Sequence, residues 1–428
     1  MSEQLIIHGG KTLHGSIEAS GAKNAALPLL AAAILTSEEL LFHRIPHLKD
    51  VSTMLSLLVH QGADVSINEG NQVTVCTASL TKSEASYELV KTMRASSLVL
   101  GPLLTRFGHA YVSLPGGCAI GARPIDLHLK ALEKMGATIH MEHGYVKAIA
   151  ENGLHGAHIH FDHVTVTGTE NIMMAAVLAK GETILENSAR EPEVVNLAET
   201  LIMMGAKIEG AGTDRICIQG VETLHGGDVH IIADRIETAT YLAAGLITGG
   251  DVTVTDTDPH MLEAFLARVE EAGAMVKTGQ DWIRCASDKP LQAMSIHTTP
   301  HPGFPTDLQA QFMALMCCAQ GSSVITENIF ENRFMHVQEL LRMGAHIELD
   351  GHSAIVHGGK PLSGAPVMAT DLRASACLIL AALAAQGTTH ISRIYHLDRG
   401  YERIEEKLMS LGASIQRISQ SSSTGEEY

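Results

Sequence analysis

LIMMGAKIEG, residues 201–210, reads as the end of one element and the start of another. Apolar residues run up to Met204, Gly205 supplies the left-handed backbone that ends a helix cheaply, and Ala-x-Ile begins a strand. The same transition recurs in LLVHQGADVSI (57–67), LEKMGATIHM (132–141), RVEEAGAMVKT (268–278), LLRMGAHIEL (340–349) and KLMSLGASIQR (407–417). Its glycines, Gly62, Gly136, Gly205, Gly273, Gly344 and Gly412, are spaced 74, 69, 68, 71 and 68 residues apart. A period of about 70 exceeds that of the solenoid repeats and suits a compact unit of two helices and several strands. The chain reads as one module used six times.

A second element precedes the first in each copy: a very apolar helix, a glycine turn and a β-rich stretch. NIMMAAVLAKGETILENS, TATYLAAGLITGGDVTVTD, FMALMCCAQGSSVITEN and ACLILAALAAQGTTHISR are examples. Helices apolar on nearly every face belong inside a ring of packed elements. Each repeat therefore supplies one hidden and one amphipathic helix, and six repeats over 428 residues divide most simply into two domains of three.

Aromatic content of 4% beside abundant Ala, Leu, Ile, Val and Met suits close helix packing. Only the tail after Ile418 reads as unstructured. The longest apolar run, Ala25 to Leu35, is shorter than the roughly 20 residues of a membrane span, and the N-terminus lacks a signal-peptide pattern. Seven cysteines, an odd number without metal-like spacing, argue against a disulfide framework and for a cytoplasmic protein with reduced thiols. A net charge of −17 excludes a general nucleic-acid or anionic-membrane surface. Any anion site must be local.

The starts of the buried helices are where such a site fits, because unpaired N–H groups and the helix dipole favour anions there. They read SGAKN (20–24), KTMR (91–94), TGTEN (167–171), ADRIE (233–237), PTDLQ (305–309) and TDLR (370–373). Helix capping accounts for Ser20, Thr167 and Thr370. It does not account for Lys23, Arg94 and Arg373, since a cation at a helix N-terminus opposes the dipole, and these point to a bound anion. The segment LPGGCAIGARPIDLH (114–128) surrounds one thiol with glycines and prolines, as a loop that changes shape over a ligand would. Arg123 lies five residues after Cys118, and a nearby cation favours the reactive thiolate. Cys217, Cys285, Cys317, Cys318 and Cys377 read instead as inert buried hydrophobes.

The motifs SGAKNAALP, KTMRAS, LPGGCAIGARPIDLH, AREPEV, DRIET, FPTDLQAQ, ENRFMHV, DLRASA and DRGYER, in this order from about Leu5 to Ser414, resemble the UDP-N-acetylglucosamine enolpyruvyl transferase family of bacterial peptidoglycan synthesis. The resemblance implies an α/β (α+β) fold of two inside-out α/β barrel domains, each built from three repeated βαβαββ-type units, with the substrates held between them. One domain would span residues 21–230 and the other residues 1–20 plus 231–428. It also implies transfer of the enolpyruvyl group of phosphoenolpyruvate to a sugar-nucleotide hydroxyl, with no metal and no organic cofactor.

Residue by residue, the resemblance makes Cys118 the acid and the thiol that attaches to phosphoenolpyruvate or to an epoxide such as fosfomycin. Asp307 takes the sugar proton. Lys23, Arg123 and Arg399 clamp phosphoenolpyruvate, and Arg94, Arg333 and Arg373 line or close the site, Arg forks being suited to bidentate recognition of phosphate and carboxylate. Asn24, Pro124, Asp126, Leu127, Val166 and Ile329 would hold the sugar nucleotide, while Glu191 and Asp371 stand near the reacting centre. His163 occupies a place where some relatives carry a lysine. His158 and His160, in LHGAHIHFDH, share one strand face and read as solvated rather than as metal ligands. His128 either orients the Cys118 loop or is structural. The competing readings are a transferase acting on shikimate 3-phosphate, which lacks the cysteine loop, a silent paralogue that binds the sugar nucleotide, and an RNA 3′-phosphate cyclase, which the acidic composition disfavours.

Overall fold

The structure, a computed structural model, describes residues 2–91, 93–113 and 125–420. All six glycines of the repeated Gly-Ala pair have positive φ, from 88° at Gly344 to 111° at Gly62. Each follows an amphipathic helix: Lys49–Gln61, Asp126–Lys134, Pro192–Met203, Glu263–Glu271, His336–Arg342 and Ile404–Ser410. The third repeat shows the module in full: strand His158–His160, helix Val166–Ala176, strand Glu182–Glu186, helix Pro192–Met203, and strands Lys207–Glu209 and Arg215–Gln219. Its sheet combines one parallel pair with two antiparallel pairs, and the same arrangement holds in all six four-stranded sheets.

The chain divides into two compact units. An inserted unit runs from Ser20 to Ile232, and a terminal unit combines the residues up to Ala19 with those from Ala233 onward. At each crossing the chain leaves an edge strand behind. His14–Glu18 pairs in parallel with Asp251–Thr255 in the terminal unit, and Gly227–His230 pairs in parallel with Glu39–His43 in the inserted unit. The N-terminal strand Ser2–His8 enters the sixth sheet between Thr388–Ser392 and Ser414–Gln420, with Leu5 opposite both Ile391 and Arg417. The last strand thus runs to Gln420, two residues into the stretch expected to be unstructured.

Within each unit the apolar helices form the interior. Helix Leu372–Ala384 is buried from Arg373 through Leu383, and helix Arg235–Ile247 from Arg235 through Leu246. Strands such as Asp251–Thr255 alternate buried and half-buried residues, so each sheet lays one face on the helices and turns the other to water. A fully buried Leu or Ile contributes about 1.5–3 kcal/mol, which is why chains of Leu, Ile, Met and Ala define these helices better than any local propensity does. The helices carry little amphipathic pattern because sheets or neighbouring helices cover them on all sides. Among the described residues, no helix is long and apolar enough to cross a membrane.

Candidate active site

In the terminal unit, helix Leu372–Ala384 begins immediately after Asp371. The Asp371 carboxylate accepts hydrogen bonds from the N–H groups of Arg373 (2.8 Å) and Ala374 (3.0 Å). It is the cap of this helix. Arg373, only 4% exposed, reaches Asp307 with Nη2 at 2.9 Å from Oδ2. Arg333, 7% exposed, holds the other oxygen, with Nη2 at 2.7 Å from Oδ1. Burial pulls the Asp307 carboxyl up, but the guanidinium groups of Arg373 and Arg333 outweigh it and hold the carboxyl well below the usual carboxylate range. Asp307 is therefore ionised, with about a quarter of its side chain (26%) still exposed.

Both arginines are themselves seated. The Arg373 guanidinium lies 5.6 Å from the centroid of the Tyr401 ring and Nη1 donates to its hydroxyl at 3.3 Å. The same hydroxyl meets Gln311 Nε2 at 3.1 Å and Thr240 Oγ1 at 3.0 Å, so side chains from the three core helices of this unit converge on Tyr401. Arg333 stacks 5.0 Å from the Phe330 ring and donates to Thr306 Oγ1 at 2.8 Å.

Two residues that sequence reasoning passed over organise this region. Glu327, 1% exposed, accepts from Thr298 Oγ1 (2.8 Å), Thr306 Oγ1 (2.9 Å) and the N–H groups of Ile329 (2.9 Å) and Phe330 (3.2 Å). It fixes the turn that leaves Ile329 exposed at 37%. Arg417 forks onto Asp398 at 2.7 and 3.1 Å and reaches Glu405 at 2.7 Å, tying down the turn Ile394–Arg399 that ends in half-buried Arg399. Burial, and then the Arg399 charge, lower the pKa of His396 in that turn. Glu327 lies in the repeat stretch FMALMCCAQGSSVITEN and Arg417 ends KLMSLGASIQR, but nothing in either stretch singles the residue out.

In the inserted unit, Lys23 opens helix Lys23–Ala32 and is 9% exposed. Its Nζ lies 3.4 Å from Oδ2 of buried Asp50 in helix Lys49–Gln61. Lys23 and Arg373 thus each have a carboxylate of the chain as partner, and their placement at helix starts does not by itself demand a bound anion. Arg235 also opens its helix, 7% exposed, a buried cation that was readable in ADRIE and was not singled out. The backbone of Arg94 opens the turn Arg94–Val99, while its side chain, together with Cys118, Arg123 and Pro124, lies outside the described residues.

The remaining expected contacts are spread over several elements. Asn24 and Val166 are half-buried in the first turns of their helices, Leu127 is buried, and Asp126 pairs loosely with Lys130 at 3.7 Å. Glu191 stands at the start of helix Pro192–Met203 and accepts from the Arg190 N–H at 3.0 Å. Beside it, Glu170 is buried with Oε1 lacking a hydrogen-bond partner. Burial, then the charges of Glu193 and Glu191, push its carboxyl well up. His163 is exposed in the bend before Val166.

Three capping expectations fail. Helix Val166–Ala176 is capped by Thr165 rather than Thr167, helix Leu372–Ala384 by Asp371 rather than Thr370, and helix Lys23–Ala32 follows Ala22 with no side-chain cap at all. Thr167 instead meets His128 Nε2 at 3.3 Å, and His128 Nδ1 meets Asn171 Nδ2 at 2.9 Å. His128 is thus a structural histidine, 2% exposed, with its pKa lowered to about 4, by burial above all. Cys285, Cys317 and Cys377 are buried as expected, whereas Cys217 and Cys318 are half-buried. Cys217 is the middle residue of strand Arg215–Gln219 and alternates with the buried Ile216 and Ile218, and Cys318 is the last residue of helix Gln309–Cys318. Burial raises the thiol of Cys285 to about 12 and that of Cys318 to about 11.

The sequence profile of EPSP synthase (3-phosphoshikimate 1-carboxyvinyltransferase) matches residues 7–408. The chain is 57% identical to a UDP-N-acetylglucosamine 1-carboxyvinyltransferase of Koribacter versatilis (strain Ellin345), covering 97% of this chain and 96% of that one. A protein of the same name from Solibacter usitatus (strain Ellin6076) is 58% identical over 97% and 100% of the two chains. Among solved structures, the enolpyruvyl transferase NikO from Streptomyces tendae superposes with a TM-score of 0.87 at 27% identity, over 97% of this chain and 99% of its own. EPSP synthase from Acinetobacter baumannii shares the fold, with a TM-score of 0.76 at 18% identity over 98% and 100%.

Proposed function

The chain belongs to the EPSP synthase family of 1-carboxyvinyl transferases, and we infer that it moves the enolpyruvyl group of phosphoenolpyruvate to the 3′-hydroxyl of UDP-N-acetylglucosamine, releasing phosphate, at the first committed step of peptidoglycan synthesis. The identity of 57–58% over nearly the whole length to two enzymes of that name carries the reading. The likeness to EPSP synthase structures at 18% identity carries the fold alone, so it does not recommend shikimate 3-phosphate as acceptor.

The proposed chemistry has two steps. Cys118 delivers a proton to the methylene carbon of phosphoenolpyruvate while the sugar oxygen bonds to the neighbouring carbon and Asp307 accepts the hydroxyl proton. Return of a methyl proton to the Cys118 thiolate left by the first step then restores the double bond and expels phosphate. Lys23, Arg123 and Arg399 meet the phosphate and carboxylate, and Arg94, Arg333 and Arg373 complete the cationic surroundings. Glu191 and Asp371 stabilise positive charge developing at the ketal carbon, while Asn24, Pro124, Asp126, Leu127, Val166 and Ile329 hold the sugar nucleotide. The clamped state of Asp307 bears on its role. An ionised carboxylate is the form that accepts a proton, but one held by two guanidinium groups is a weak base. Arg333 and Arg373 must therefore shift part of their hydrogen bonding to substrate as the proton moves.

A cytoplasmic location fits the reduced-thiol composition, and an epoxide of the fosfomycin type would alkylate Cys118. Phosphate release with UDP-N-acetylglucosamine but not with shikimate 3-phosphate is the expected result, and equal release with both would sink the acceptor assignment. Cys118→Asp is expected to keep turnover while becoming resistant to fosfomycin, because a carboxylic acid donates a proton yet forms no thioether. A fosfomycin-sensitive Cys118→Asp enzyme would remove the thiol from the proposal.

A further inference from the structure

We propose that the outer face of one sheet in the terminal unit is a binding site for a divalent transition-metal ion, formed by His346, Glu348 and His357. The sheet has Ser322–Thr326 beside Ser353–His357, which pairs in turn with His346–Asp350. His346 lies directly across from His357, and Glu348, two residues on, shares their face while Ile347 and Val356 point into the core.

The three side chains converge on one point. Glu348 Oε1 is 3.4 Å from His357 Nε2 and 3.7 Å from His346 Nε2, and the two imidazole centroids are 4.6 Å apart. One donor atom from each residue lies within 4.8 Å of the others. Ligands of a tetrahedral ion at bond lengths of about 2.0–2.2 Å stand roughly 3.4 Å from one another, so small side-chain rotations complete the site.

The third strand supplies an outer partner. Ser322 sits opposite His357, and its Oγ is 2.8 Å from His357 Nδ1. A hydroxyl accepting the Nδ1–H leaves the Nε2 lone pair aimed at the ion, which is the tautomer that metal-ligating histidines require. Two imidazoles and a carboxylate select Zn²⁺, Ni²⁺ or Cu²⁺ over Mg²⁺ and Ca²⁺. With His346 and Glu348 exposed at their tips, the remaining coordination positions belong to water, and the ion exchanges freely.

The inserted unit contains an internal control. His158 and His160 approach Glu186 Oε2 at 3.1 and 3.8 Å on an equivalent sheet face. There both imidazoles lie on one strand with the carboxylate on its neighbour, and among the described residues only the His346 set brings three donors within 4.8 Å.

Titration of the full chain with Ni²⁺, followed by calorimetry, tests the site. His346→Gln and His357→Gln are each expected to weaken one binding event about tenfold or more, and Ser322→Ala to weaken it by about tenfold. His158→Gln leaves it unchanged, and enolpyruvyl transfer without added metal is the same in all four variants. Crystals soaked in Zn²⁺ are expected to show an anomalous peak among the three side chains. Identical isotherms for the wild type, His346→Gln and His357→Gln overturn the proposal, as does an equal loss in His158→Gln.

Discussion

The two units pack three apolar helices against one another and place polar groups where those helices meet, but they use different chemistry to do so. In the inserted unit the junction is neutral. Asn171 donates to the Ser97 carbonyl at 2.8 Å and meets His128 at 2.9 Å, while its Oδ1 accepts from the Gly101 N–H at 2.7 Å. In the terminal unit the corresponding junction joins Thr240, Gln311 and Tyr401 to a buried guanidinium, and through it to Asp307. A saturated amide network only needs to hold helices together. A buried cation costs desolvation that a hydrophobic residue would avoid, so retaining one points to a use beyond packing.

The sharpest way to break this contrast is Asp307→Asn. If the charged junction serves proton transfer, kcat falls by about 10²–10⁴ with the acceptor still bound, whereas a structural carboxylate would show its loss in the unfolding midpoint and spare turnover. Steady-state phosphate release beside urea unfolding separates the two. Arg373→Met comes next. Removing one partner of a buried ion pair costs about 3–5 kcal/mol, nearer the lower figure here because Asp307 keeps Arg333 and some solvent contact. An unfolding midpoint unchanged by Arg373→Met would show that Tyr401 and Gln311 hold the junction without it.

Sequence reasoning located the repeats and missed the junctions, and the reason is physical. A helix-ending glycine leaves a local mark, so Gly62, Gly136, Gly205, Gly273, Gly344 and Gly412 could be read in order, and all-round apolarity disclosed which helices are hidden. The Asp307, Arg333 and Arg373 set draws on three separate elements, and only family motifs suggested that these residues act together. Glu327, Arg417 and Asn171 take their importance from distant partners, for which no spacing rule exists. The caps failed for another reason: Thr165 and Asp371 lie within two residues of the expected Thr167 and Thr370, a boundary shift that composition does not resolve.

Gly101→Ala probes the neutral junction. In an open helix this change would stabilise by about 0.5–1 kcal/mol. Here a Cβ would overlap both the carbonyl oxygen and Oδ1 of Asn171, so the helices must separate or the amide must turn. Overpacking of this kind costs about 1–3 kcal/mol, and turnover per folded molecule is expected to stay near the wild-type value. A stabilised Gly101→Ala protein would mean that the helix approach there is looser than the Asn171 contacts indicate.

The smallest effect concerns pH and asks whether the neutral junction must remain neutral. His128 in the folded chain takes a proton only near pH 4, against an ordinary value of 6.5, because burial disfavours its charged form. Below pH 6.5 the unfolded chain binds this proton and the folded chain does not. The His128 contribution is therefore complete above that value and drains away as pH falls toward 4. At pH 5 the loss is at most about 2 kcal/mol. His336 in the terminal unit, also lowered to about 4 by burial, adds a similar loss in wild type and variant alike. Urea unfolding of His128→Gln should therefore weaken less than the wild type between pH 7 and pH 5, by up to that amount, although the variant is less stable at neutral pH. Parallel pH profiles for the two proteins would show that the imidazole finds a charged partner on acidification, and the inserted unit's junction would then be no more neutral than its counterpart.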